Sequence, residues 1–174
     1  MKKTFLKTAG ALALAVLVLA VFAQISVFTQ EFEKQGQPEE ALLVNGNAHR
    51  LEGSWSASVA FTNCRTGAPV SPPFAAMNTF MQGGTMQDFG VTSGMFRSQG
   101  HGVWKHEGGL NYSKAFQFFR FNTDGTYAER IVVRCRMEFR PDDNYVATCG
   151  IEIYDPNGNL LRRACSSEAA TRFE

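Results

Sequence analysis

The chain has 174 residues, 44% of them hydrophobic and 19% charged, with a formal net charge of +1 and four cysteines. That is one domain's worth of chain by the usual range of about 100–200 residues per domain. The near-neutral balance excludes a nucleic-acid binder, which needs a basic excess to neutralise phosphates.

The first residues have the three parts of a secretory signal. Lys2, Lys3 and Lys7 form a positive start, an apolar run extends from Ala9 to Phe22, and Val21 and Ala23 occupy the small-residue positions before Gln24. This predicts a signal over 1–23 and export to the periplasm or the medium. Stretched through Ile25 to Phe28, the run is an alternative membrane anchor, but Gln24 and Ser26 interrupt it. Membrane contact is therefore expected only if the segment stays uncleaved. Cleavage would remove three of the 17 basic residues and none of the 16 acidic ones, leaving the remainder slightly acidic.

Residues 24–48 read as a flexible extension, polar and acidic from Gln30 to Glu40 with Gly36 and Pro38. The remainder, 49–174, reads as one β domain. From Leu51 the period becomes two: Trp55, Ala57, Val59 and Phe61 alternate with Ser54, Ser56, Ser58 and Thr62. After a Pro-rich loop containing Cys64, strands are predicted over 74–81 and 85–91, turned by Gly83-Gly84. The Gly- and Ser-rich stretch 92–102 reads as irregular, and 103–106 as a short strand. Tyr112–Phe121 is rich in aromatic residues, and Asp124-Gly125 supplies a hairpin turn. Ile131, Val133, Cys135, Met137 and Phe139 then alternate with Arg130, Arg134, Arg136 and Glu138, a strand with one buried and one wet face. After Pro141–Asn144, Tyr145, Ala147, Cys149, Ile151 and Ile153 repeat the pattern. Asp155-Pro156-Asn157-Gly158 turns the chain into a last strand over 159–165 and a short tail.

The expected fold class is all-β, an antiparallel up-and-down barrel of about eight strands, because closure removes exposed strand edges. A sandwich is the alternative. An even cysteine count in an exported chain reads as disulfides. Cys135 and Cys149 share the inner face and lie at similar distances from the Pro141–Asn144 turn, so they are expected to face each other. Cys64 and Cys165 then pair by elimination.

Gly53-Ser54-Trp55, opening the first strand of such a barrel, resembles the lipocalin and wider calycin group. The resemblance implies that the Trp closes one barrel end and that an Arg from the last part of the chain, Arg172 or Arg163, packs across it. Thr123-Asp124 in a hairpin is similar to the group's second motif. The segments around Asn63-Cys64 and Gly100–Trp104 resemble those of uncharacterised exported bacterial proteins, which carries no function.

Candidate ligand-binding residues are Trp104, Phe116, Phe118, Arg120, Ile131 and Val133, because apolar pockets have aromatic linings with a few polar anchors. A filled core is the alternative use of the same side chains. Across the Asp124-Gly125 turn, Arg120 is expected opposite Glu129, an ion pair near one barrel mouth that either anchors a ligand carboxylate or closes the end. Arg130 and Arg134 are expected to stack on Phe119 and Phe121 of the outer face. His101, between Gly100 and Gly102, is the one candidate general base, with a turn cap as the plain alternative. His101 and His106 differ by five positions and point to opposite faces of a regular strand, so no metal site is expected. No cofactor motif is present, and nothing sets the oligomeric state.

Three functions stay open: an exported binding protein for a small, largely apolar molecule, an enzyme on the same barrel, and an interaction module with a filled core. The enzyme would be a cyclase or isomerase acting on a hydrophobic substrate, by analogy with allene oxide cyclase.

Overall fold

The computed structural model describes residues 49–91 and 96–174. The expected signal over 1–23 and extension over 24–48 lie outside the described residues.

The chain runs through β1 (Gly53–Thr62), β2 (Phe74–Phe80), β3 (Thr85–Gly90), β4 (Phe96–Arg97), β5 (Gly100–Gly108), β6 (Asn111–Phe121), β7 (Tyr127–Arg140), β8 (Asn144–Tyr154) and β9 (Leu160–Arg172). Every pairing is antiparallel. All of these strands except β4 each pair with the next in the chain, and β9 returns to β1, so eight strands close an up-and-down barrel. The short β4 adds to the free upper edge of β6.

Two strands are longer than the sequence suggested. β5 begins at Gly100 rather than Val103. The glycines hid it, yet the close packing requires them: a Cβ on Gly102 would stand 2.0 Å from the carbonyl oxygen of Ala115. β9 continues past Cys165 to Arg172 and pairs with β1 from Trp55 to Thr62. Its inner face is built from Ser166, Glu168 and Ala170, buried but small or polar, so it carried little hydrophobic signal.

Cys135 stands directly opposite Cys149 in the β7–β8 ladder, and the two form a disulfide. A second disulfide joins Cys64, just past β1, to Cys165 within β9. The two bridges fit a protein that matures in an oxidising compartment.

The barrel has unlike ends. At one, Leu51 and Trp55 are fully buried, and the Trp55 indole donates to the Leu51 carbonyl at 2.9 Å. The Trp55 ring meets Phe139 and Tyr145 edge-on, with centroids 5.7 and 5.0 Å away. The Arg172 guanidinium lies 4.4 Å from the Trp55 ring and donates to the carbonyls of Arg50 and Glu52. Phe80, Trp104 and Tyr112 complete a solid plug. Aromatic packing of this kind contributes about 0.5–1.5 kcal/mol per pair beyond area burial.

Candidate functional site

The opposite half of the barrel is hollow. A cavity of about 600 Å³ opens there, walled by Phe116 and Phe118 from β6, Ile131 and Val133 from β7, and Ile151 and Ile153 from β8. Val59, Phe61 and Phe74 line the facing wall. These side chains point inward because each occupies the inner phase of a period-two strand. Eight strands make a barrel just wide enough either to be filled or to hold one small ligand. Here the two uses are divided between the ends: large rings fill the closed half, while Val and Ile leave space in the other. The cavity volume lies within the range of about 300–1,000 Å³ usual for small-molecule sites.

Polar groups mark the floor and the wall. Lys114 is fully buried, and its Nζ lies 2.8 Å from both carboxylate oxygens of Glu168. The Tyr145 hydroxyl donates to Glu168 Oε1 at 2.5 Å, and Asn78 Nδ2 donates to the same oxygen at 2.9 Å. Burial and the neighbouring Glu168 carboxylate hold the Tyr145 hydroxyl well above its ordinary pKa, so it stays a donor. Asn78 Oδ1 is buried with no hydrogen-bond partner among the described residues.

Asp88, from β3, pairs with Arg97, from β4. The Arg97 guanidinium lies 3.8 Å from the Phe118 ring. It occupies room left by Gly90, whose added Cβ would stand 2.8 Å from Arg97 Nη1. Burial pushes the Asp88 carboxyl above its ordinary range, and the Arg97 charge opposes that shift.

At the mouth, Arg120 pairs with Glu129 across the β6–β7 ladder. Arg162, on the inner face of β9, reaches the other oxygen of Glu129 at 3.2 Å. Burial, and then the charge of Arg162, lowers the pKa of Arg120 from its usual value. The rim outside carries the exposed side chains of Val70, Val91, Phe96 and Leu161.

Of the residues singled out in the sequence, Phe116, Phe118, Arg120, Ile131 and Val133 line this cavity. Trp104 does not. It faces inward, but its indole donates to the Met81 carbonyl at 2.9 Å and its ring meets Phe80, within the closed end. His101 is exposed and projects from the outer face of β5, one position out of phase with Trp104, away from the cavity. The expected stacking of Arg130 and Arg134 on Phe119 and Phe121 is replaced by other contacts. Arg130 lies directly across the ladder from Tyr154 and stacks on its ring at 4.6 Å, and Arg134 binds Glu152 at 2.9 Å. Phe119 and Phe121 pack on Tyr127 instead. Among the described residues, no group of three or more His, Cys, Asp or Glu side chains converges to hold a metal ion.

Sequence reasoning passed over Asn78, Asp88, Arg97, Lys114 and Glu168. The available signal was phase alone: Lys114 shares its phase with Tyr112, Phe116 and Phe118, and Glu168 with Ala164 and Ala170. A lysine and a glutamate on inner phases call for each other, since buried charges are paired.

No protein-family model matches the chain, and no curated protein matches it.

Proposed function

We propose that this protein is an exported, calycin-like barrel that binds a small, largely apolar molecule. In this reading residues 1–23 are the removed signal, 24–48 a flexible extension and 49–174 the binding domain. The observation that carries it is the apolar cavity of about 600 Å³, open at one end and closed at the other by the Trp55 cluster. A one-ended cavity buries most of a ligand's surface, and burial of apolar area is the main source of affinity at such sites. The Arg172 guanidinium over Trp55 supports the calycin comparison, because it is the arrangement that the Gly53-x-Trp55 resemblance implies. The two disulfides support an oxidising compartment.

Native mass spectrometry of the exported protein is the direct test. The expected result is a reproducible extra mass, released on denaturation and identified as an apolar or amphipathic molecule. Val133→Phe, which puts a ring into the cavity, should abolish that mass with little change in melting temperature. A bare protein mass, unchanged after incubation with a lipid extract, would overturn the reading.

A further inference from the structure

The outer surface of the barrel is divided between two unlike walls. On β7, β8 and β9, arginines and glutamates pair: Arg134 and Arg163 with Glu152, and Arg140 with Glu138. Among the described residues, the outer faces of β8, of β9 from Arg163 on, and of β1 expose no large apolar side chain. This is the ordinary state of a sheet face turned to water. The wall of β2, β3, β5 and β6 is the reverse. Met77, Phe89, Val103 and Phe119 project from it with relative exposures of 45, 46, 58 and 39%. Phe96 of β4, also exposed, adds to it opposite Phe121. Formal charge on this wall is confined to its closed-end corner, where Lys105 pairs with Glu107.

The apolar groups are ordered across the strands. Met77 stands directly opposite Phe89 in the β2–β3 ladder, and Val103 opposite Ala115 in the β5–β6 ladder. Gln87, His101 and Gln117 form one cross-strand row between them. A second observation falls on the same wall. β3 and β5 are paired only from Thr85 to Asp88, whereas β6 and β7 are paired from Asn111 to Phe121. The thinnest seam of the eight-stranded barrel thus lies beneath its most apolar outer surface.

We propose that the protein forms a two-fold dimer, a second copy of this chain packing its β2–β3–β5–β6 wall on the same wall of the first. The composition is that of an interface centre, rich in Phe and Met and poor in charge. A contact across a two-fold axis needs only a self-complementary surface. A wall without charges matches itself in this way and offers nothing by which an unlike partner would be selected. The near-neutral chain adds little repulsion between copies. At about 150–250 Å² for a large aromatic side chain, the exposed parts of Phe89, Phe96 and Phe119 alone amount to roughly 300 Å². With Met77, Val103 and the polar row between them, they supply the centre of a contact of about 800 Å² per partner, the size of a standard interface. The dimer covers the short β3–β5 seam, so association should also stabilise the fold. The inference is independent of what the cavity holds.

Sedimentation velocity of the exported protein, disulfides intact, tests it from about 1 to 100 μM, the span over which a micromolar contact passes from monomer to dimer. The expected result is twice the chain mass at the upper end. Phe89→Lys and Val103→Lys should each weaken the dimer by about 100-fold or more, because the two-fold places every substitution in the contact twice. Thr148→Lys, on the exposed outer face of β8, should leave it unchanged. The melting temperature of the parent should rise with protein concentration and that of Phe89→Lys should not. At the lowest concentration the two should agree within a few degrees, which verifies that the variant is folded. A parent that stays monomeric throughout would overturn the proposal, and its co-sedimentation with phosphatidylcholine vesicles would then assign the apolar wall to a lipid surface. A dimer that survives both Phe89→Lys and Val103→Lys but is lost in Thr148→Lys would overturn it in favour of the opposite wall.

Discussion

Replacing Lys114 by Met tests the buried ion pair beneath the cavity. The Lys114 ammonium is fully buried, bonds both oxygens of Glu168, and has Phe80, Phe116 and Tyr145 rings within 5.8 Å. Methionine fills much the same volume, so loss of packing is a minor part of the effect. What remains is the Glu168 carboxylate, held by Tyr145 and Asn78 but stripped of its counter-charge. Breaking a buried pair in this way costs about 3–5 kcal/mol, a large share of the roughly 5–15 kcal/mol total for a domain of this size. Urea unfolding under non-reducing conditions can be followed through Trp55 and Trp104, both of which are buried and become exposed. With a slope of about 2 kcal/mol per M, the midpoint should fall by roughly 2 M. The double variant Lys114→Met/Glu168→Gln should recover most of the loss, because a neutral pair avoids the stranded charge. A single-variant loss below about 1 kcal/mol, or a double variant no more stable than the single one, would refute the assignment of Lys114 and Glu168 as mutually dependent.

The disulfides should differ in weight. Cys64–Cys165 spans 101 residues and Cys135–Cys149 spans 14, so by the chain-entropy relation removing the first pair as serines costs about 4–5 kcal/mol and the second about 3 kcal/mol. Thermal melts should rank the two variants in that order, and the reverse ranking would count against β1–β9 closure as the long-range constraint. Asp88 gives a pH dependence. Its folded pKa is raised above the ordinary 3.8, so the protonated form is favoured in the folded protein. Its contribution is present in full below about 3.8 and is lost as the pH rises through the folded value. The stability of the parent relative to Asp88→Asn should therefore fall as the pH rises through that window. Denaturant midpoints measured across the acid range would show this, and a relative rise of the parent would contradict it.

The barrel and its inner face were legible because period-two alternation is a local signal. Ile131, Val133, Cys135, Met137 and Phe139 declare one face by themselves, and the Pro141–Asn144 turn then brings Cys149 opposite Cys135. Arg120 and Glu129 face each other as expected, but by another route. Phe121 pairs with Tyr127, Asn122 and Thr126 close the loop, and Ala128 is skipped so that the register is restored at Glu129. Where alternation failed, so did the reading. Arg97 sits in a Gly- and Ser-rich stretch with no period, yet it seals one wall of the cavity. His101 drew notice for its flanking glycines, but those glycines serve a close strand crossing at Gly102 and leave the imidazole outside.

Sequence by itself determined the hairpin pairing of successive strands and the inner phase of most strands, since each follows from neighbours a few residues apart, whereas the closing role of Trp55 was implied by the Gly53-x-Trp55 resemblance. Only the tertiary structure decided which inward side chains share a height along the barrel axis. Trp104 and Phe116 both face inward, yet Trp104 joins the solid end and Phe116 the hollow one. Glu168 finds Lys114 across 54 residues and Asn78 across 90, through strands that meet only when the barrel closes. Phase along a strand is set by local backbone geometry, whereas pairing across the interior depends on the register of every intervening ladder. The cavity, its paired floor and the Arg120–Glu129–Arg162 cluster at its mouth therefore exist only in the closed barrel.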